Sequence, residues 1–279
     1  MSIAITTSRP PDRQPAGPVG RPRDYWNARA TRFASVRRGL AAVCSYGMPE
    51  YHNRYLHWQQ AHALAPWLTM PTGTRVLEIG CGVGRWTHRL ARAGARVVAF
   101  DLSSTMIGEA RRRAADAGVD GSCRWLVADA AELSLGGTFD RIVGVTVLQH
   151  ILDERRFRAA VENIARHLAP GGRAILLEAA PASATRRCDS SVFVARSEQA
   201  YLDAFRQAGL TCRAMVGIDP APFRTWILPY YRSAPRVLAA AALLAATALS
   251  MPVDWFAPPS LRRRAWHKVF VVERPRGRP

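Results

Sequence analysis

The sequence predicts an α/β fold with a doubly wound parallel sheet. From Thr74 onward, short apolar runs alternate with helical patterns, the rhythm of repeated β-α units. The runs are apolar almost throughout, not at every second residue, as expected of strands covered on both faces. Three of the helical patterns close on stop signals: Gly94, Pro170-Gly171-Gly172 and Gly209. A chain of 279 residues with 48% hydrophobic content is long enough for one such core.

In chain order, residues 1–22 carry Pro10, Pro11, Pro15, Pro18 and Pro22 among Arg, Gly and Ser, and read as a disordered leader. Residues 23–70 read as a helical N-terminal cap rich in aromatics: Tyr25, Trp26, Phe33, Tyr46, Tyr51, Tyr55, Trp58 and Trp67. Residues 71–279 form the main domain. Its expected strands are 75–79, 96–100, 125–128, 142–147, 174–177, 210–216 and 267–272. Its expected helices span 85–93, 153–168 and 197–208, with another capped by Ser103 or Ser104, in which Met106, Ala110 and Ala114 share a face. Residues 219–264 break the rhythm with seven prolines. Their place between the last two strands suits a lid.

The formal charge is +18, from 39 Lys+Arg against 21 Asp+Glu. Lys268 is the only lysine, and the arginines are spread along the whole chain, which reads as a generally basic surface rather than a local polyanion patch. The cysteines, Cys44, Cys81, Cys123, Cys188 and Cys212, are odd in number and include no CxxC pair. That pattern suits neither zinc nor a disulfide framework and points to a reducing cytoplasm. No metal is expected. The N-terminus shows no apolar signal core, and the most apolar run, 237–249, is short of the ~20 residues a spanning helix needs. Peripheral membrane contact through 237–250 is the alternative to a buried lid helix.

The sharpest motif is Val76-Leu77-Glu78-Ile79-Gly80-Cys81-Gly82-Val83-Gly84-Arg85. An apolar strand ends in an acid and three alternate glycines before a helix, so the backbone can turn tightly and approach a ligand closely. A dinucleotide fingerprint would place Gly or Ala where Arg85 stands, and no G-K-[ST] loop occurs. Asp101 ends the next strand about 20 residues on, where a carboxylate can accept both hydroxyls of a ribose. Asp129-Ala130 ends the third, where a carboxylate and a backbone N–H can read an adenine edge.

These residues, in this order, resemble the class I S-adenosylmethionine-dependent methyltransferases. The Glu78 block is similar to their Glu-x-Gly-x-Gly-x-Gly loop. Asp101-Leu102-Ser103-Ser104-Thr105-Met106 looks like the D-x-S-x-x-M segment of the small-molecule type 11, ubiquinone/menaquinone-biosynthesis-like branch. Phe139-Asp140, Leu148-Gln149-His150 and Leu168-Ala169-Pro170-Gly171-Gly172 fall where that branch places them. The resemblance implies a seven-stranded, mostly parallel Rossmann-like sheet whose final strand is antiparallel, and S-adenosylmethionine as co-substrate. It implies that Glu78, Gly80 and Gly82 hold the methionine end, Asp101 the ribose, Met106 the adenine face, and Asp129 and Ala130 its edge. Cys81, Leu102 and Thr146 complete the implied cofactor-binding set. Tyr25-Trp26-Asn27-Ala28-Arg29-Ala30 resembles a segment that closes over the cofactor.

Methyl transfer from a sulfonium is an in-line displacement, in which the protein supplies mainly alignment and dryness. A base is needed only for a protonated acceptor. His150, expected at the end of the fourth strand, is the first candidate base. Tyr51, His52, Tyr55 and His57 in the cap are further candidates for the acceptor pocket, and Glu178 either orients the acceptor or is a solvated edge acid. Aromatics in 219–264 (Phe223, Trp226, Tyr230, Tyr231, Trp255 and Phe256) suggest a small, hydrophobic or aromatic acceptor. Two alternatives differ in class. A nucleic-acid methyltransferase is disfavoured, because the N-P-P-[YFW] loop and the Pro-Cys nucleophile are missing. A non-catalytic S-adenosylmethionine-binding module is disfavoured by the intact acids.

Overall fold

The computed structural model describes residues 21–36, 39–45, 48–182, 187–190, 192–231 and 233–276. Residues 1–20 of the expected leader and Tyr46 lie outside them. Helices α1 (Pro22–Phe33), α2 (Leu40–Val43) and α3 (Glu50–Leu64) make the cap. There follow β1 (Arg75–Ile79), α4 (Arg85–Arg92), β2 (Arg96–Asp101), α5 (Ser104–Asp116), β3 (Cys123–Val127), β4 (Phe139–Val145), α6 (Glu154–His167) and β5 (Leu168–Ala179). Then come β6 (Arg187–Ser190), β7 (Phe193–Ala195), α7 (Glu198–Gln207), β8 (Thr211–Gly217), α8 (Phe223–Ile227), α9 (Arg236–Phe256), α10 (Pro259–Arg262) and β9 (His267–Glu273).

The seven-stranded sheet has the order β3-β2-β1-β4-β5-β9-β8. Its first five strands are parallel, and β9 runs antiparallel between β5 and β8. Adjacent residues on one strand feed opposite cores: Ile142, Leu176 and Phe270 pack with Phe157 and Tyr201, whereas Val143, Ile175 and Val269 pack with Trp86 and Leu90. This is the doubly wound arrangement that continuously apolar strands require. Side chains cap the helices where expected. Ser103, Asp153 and Ser197 each accept from the N–H three residues on, and Met106, Ala110 and Ala114 are all buried.

Three elements differ from expectation. The chain leaves β4 at Val145 and forms a 3-10 turn, Leu148–His150. A small hairpin, β6 with β7, precedes α7. The apolar run after Pro235 becomes a 21-residue helix whose most apolar 18-residue window has a mean hydropathy of 1.8, long and apolar enough by length and composition to cross a membrane. It continues through Pro252 to Phe256, well past the run read from the sequence.

That helix carries one buried acid on its inner side. Asp254 is buried and accepts from Tyr55 Oη (2.7 Å), Gln59 Nε2, Arg224 Nη2 (3.2 Å) and the Ala221 N–H (2.9 Å). One carboxylate thus joins α3, α8 and α9. Asp254→Ala would leave Arg224 buried without its counter-charge; it is expected to destabilise the fold by about 3–5 kcal/mol, read as a lower urea midpoint, whereas an unchanged midpoint would show the network to be dispensable.

Candidate active site

The chain runs outward from β1 through β2 to β3 and returns beside β1 as β4. The crevice at the carboxyl ends of β1 and β4 is therefore the switch point where open α/β sheets bind ligands. The glycine loop lies there. Gly80, Gly82 and Gly84 have φ of 61°, 53° and 79°, which a side chain would strain. A Cβ at Gly80 would meet Val147 at 2.6 Å, and one at Gly82 would meet Val43 of α2 at 2.5 Å.

Asp101 is bound on both oxygens by backbone: Oδ2 accepts from Gly82 N–H and Oδ1 from Ser103 N–H, each at 2.9 Å. The carboxylate is aimed from two sides and keeps lone pairs for further donors. Burial raises its pKa, and the N–H groups oppose that. Leu102 beside it is half-buried. Glu78 is fully buried, accepts from Thr87 Oγ1 at 2.5 Å, and is pushed by burial up to about 8. The Cys81 side chain lies in the core under α4, so this residue can serve the site through its backbone only.

The cap closes on this edge. Asn27 Oδ1 accepts from Ser103 Oγ at 2.7 Å, and buried Arg29 donates to the carbonyls of Ala41 and Cys44. Met106 is buried among Ala30, Ala34, Ala42 and Val83, beneath the cap. Asp129 is half-exposed; Oδ1 accepts from Ala131 N–H and Oδ2 pairs with Arg156 at 2.8 Å. The carbonyl of Ala130 accepts from Asn163 Nδ2.

Across the crevice, the turn after β4 is held by two buried charges. Glu178, at the end of β5, is fully buried. Its carboxylate accepts from the N–H groups of Val147 (3.0 Å), Leu148 (2.9 Å) and Gln149 (3.0 Å). It is neither a solvated edge acid nor an acceptor-orienting group but the N-terminal anchor of the turn. Burial lifts it to about 7 against those N–H groups. Arg196, also buried, donates to the carbonyls of Leu148 (3.3 Å) and Ile151 (2.7 Å) and pairs with Glu154. Just before the turn, Thr146 has φ 57°. A threonine there costs about 1–3 kcal/mol.

His150 ends this turn. Its Nδ1 lies 2.6 Å from the carbonyl of Val192, so Nδ1 carries the hydrogen and Nε2 the lone pair. The Trp26 ring packs edge-on to it at 4.8 Å. Burial lowers its pKa to about 4, with Arg29 adding to the effect. The cap candidates are otherwise engaged. Tyr51 Oη donates to the Ala240 carbonyl of α9, Tyr55 belongs to the Asp254 network, and Arg85 Nη1 lies 3.0 Å from His57 Nδ1. His52 is buried, with Nδ1 lacking a partner among the described residues and a pKa lowered by burial to about 4. Sequence reasoning singled out Glu178 but not its anchoring role, and missed Arg196 altogether, because an acid ending a strand and an arginine before a helix carry no motif. Among the described residues, no group of three His, Cys, Asp or Glu side chains gathers to hold a metal.

A methyltransferase-domain family model matches residues 76–172. Nodulation protein S of Sinorhizobium fredii (strain NBRC 101917 / NGR234) is 32% identical over 171 residues, 54% of this chain and 78% of that protein. Ubiquinone biosynthesis O-methyltransferase of Xanthomonas axonopodis pv. citri (strain 306) is 31% identical over 128 residues, 45% of this chain; the chain thus spans about half, 52%, of that relative. Magnesium protoporphyrin IX methyltransferase from Synechocystis PCC 6803, solved with bound S-adenosylmethionine, superposes with a TM-score of 0.58 at 21% identity, covering 90% of this chain and 94% of that one. Sequence kinship spanning most of nodulation protein S agrees with a sheet whose glycine loop, Asp101 and cap meet at one edge: the chain belongs to the class I S-adenosylmethionine-dependent methyltransferases, type 11 branch, with S-adenosylmethionine as its co-substrate.

Proposed function

We propose that the chain methylates a small, hydrophobic or aromatic metabolite at a hydroxyl oxygen. The observation that carries this reading is the pairing of a backbone-held Asp101 with a clamped, tautomer-fixed His150 on opposite sides of one crevice. Support for the acceptor class comes from the names of the relatives, which include an O-methyltransferase of ubiquinone biosynthesis and a methyltransferase acting on magnesium protoporphyrin IX. The free thiols of Cys44, Cys81, Cys123 and Cys212 suit a reducing cytoplasm.

The site fits an adenosyl sulfonium. Asp101 accepts the ribose hydroxyls with the lone pairs its two N–H donors leave. Gly80 and Gly82 let the backbone approach the methionine end, and buried Glu78 offers a carboxyl beside it. Leu102, Met106, Asp129 and Ala130 bound the adenine side. There Asp129 shares its carboxylate with Arg156. Thr146 turns the chain at the crevice, and α1 excludes water from above. Bound S-adenosylmethionine supplies an already activated methyl group. His150 stays neutral at pH 7 and presents Nε2. As the acceptor oxygen bonds the methyl carbon and the carbon–sulfur bond breaks, its proton passes to Nε2. A hydroxyl acceptor must lose one proton as it is methylated, and the neutral ring has a lone pair to take it.

Asp101→Asn is expected to weaken S-adenosylmethionine binding by about 10- to 100-fold, the loss of one or two charge-assisted hydrogen bonds, measured by titration calorimetry; wild-type affinity would remove Asp101 from the site. In histidine-labelled protein, the His150 resonance should keep its neutral, Nδ1-protonated signature well below pH 6.5 and titrate only toward about 4, since burial favours the uncharged ring; titration near 6.5 would contradict the assigned environment. The reaction itself is tested by an untargeted mass-spectrometric search for CH2-shifted products in host extract given the enzyme and labelled methyl donor. O-methylated products are expected, and exclusively N-methylated ones would overturn the oxygen assignment.

A further inference from the structure

Helix α9 leaves most of its large apolar side chains facing outward. Its inward side holds the small or polar Ala239, Ala246, Thr247, Ser250 and Asp254 with one large apolar residue, Leu243, all buried. The outward side holds Val237 (80% exposed), Leu238, Leu244, Leu249, Met251, Trp255 and Phe256 (79% exposed). Only 33% of its most apolar window is buried. Trp226 on α8 and Tyr230 in the turn after it add two exposed rings from the segment packed against α9. A contiguous apolar surface of this kind marks an interface. From this, we infer that the outer face of α9 docks this enzyme on an anionic lipid bilayer, lying in the interface plane. The inference does not depend on the identity of the methyl acceptor.

Charge selects lipid over a second copy of the chain. Arg236 precedes the apolar face, and Arg263 and Arg264 follow it; all three are exposed. None of the three has a carboxylate partner among the described residues. Between Asp219 and Glu273 the sole acid is Asp254, which is buried and committed to Arg224. A twofold dimer through this face would bring unpaired arginines together with no acid to neutralise them. Anionic head groups supply that counter-charge at both ends of the helix while the acyl boundary takes the apolar side chains. The buried inner face, tied to α3 and α8 through Asp254, keeps the helix on the protein instead of across the membrane.

The test is sedimentation of the full chain with phosphatidylcholine vesicles containing about one third phosphatidylglycerol, against vesicles of phosphatidylcholine alone. The chain should pellet with the anionic vesicles and much less with the neutral ones. Replacing Leu244→Glu and Leu249→Glu together should reduce partitioning by about tenfold or more. Both side chains are exposed, and circular dichroism with calorimetry of S-adenosylmethionine binding should match wild type, which separates this result from any failure of the methyl-donor site. Retention in the supernatant with anionic vesicles would overturn the inference. Undiminished binding of the double variant would do the same, since the basic surface alone would then account for it. A dimer in light scattering that the double variant dissociates would show that a second copy covers the face.

Discussion

Glu178 brings the N–H groups of Val147, Leu148 and Gln149 onto one buried carboxylate, and the turn that forms the far wall of the crevice is built around it. A charge sealed in a protein core costs several kcal/mol unless it is paired and hydrogen-bonded. The three N–H groups would otherwise be orphan donors of a short helical turn. Each side satisfies the other, and Arg196, at the carbonyl end of the same turn, balances the charge. Hydrogen bonds contribute about 0.5–1.5 kcal/mol each, and more to an ionised acceptor. Together they exceed the cost of holding Thr146 at φ 57°. The consequence for chemistry is positional: His150 leaves the turn at a fixed angle, its tautomer set by the Val192 carbonyl.

On the near wall the same principle operates through Asp101. Its carboxylate is fastened by the glycine loop on one side and the start of α5 on the other. Ser103 serves twice, capping α5 through Met106 N–H and donating to Asn27 of the cap. A closing helix is thereby joined to the residue proposed to hold the ribose. Helix α9 is attached elsewhere, through Asp254 to Tyr55 and Gln59 of α3. Helix α3 thus belongs to the cap and also carries the contacts that hold α9. Asp254 faces inward at this joint, Thr247 and Ser250 return their hydroxyls to carbonyls of their own helix, and Leu238, Leu244 and Leu249 face outward.

Much of the sheet and of the near wall was legible in the linear chain. Continuous apolar runs identified the buried strands. Ser103, Asp153 and Ser197 identified helix starts, and the alternate glycines after Glu78 identified the tight turn at the end of β1. These signals are local: each depends on residues within a few positions, acting through sterics or a single capping bond. The far wall was not legible. Glu178 and Arg196 belong to it only because β5 and the segment before α7 run beside the end of β4. The expected solvated acid was instead the most buried carboxylate of the crevice. Tyr51 is an acceptor-pocket candidate by its place in the aromatic cap, and only the fold brings its hydroxyl to the Ala240 carbonyl of α9. The 237–249 run seemed too short to span a membrane because its boundary was drawn at the last aliphatic residue, whereas the helix continues through Pro252.

Taken alone, the amino-acid order determined the alternation of strands and helices, the glycine turn and the acids at the ends of β1, β2 and β3, since periodicity and backbone sterics act over short distances. Tertiary structure alone decided which buried charges pair, which nitrogen of His150 carries the hydrogen, and which face of α9 meets the outside. Those outcomes depend on desolvation and on partners brought together from distant parts of the chain, and neither has a signature in a run of neighbouring residues.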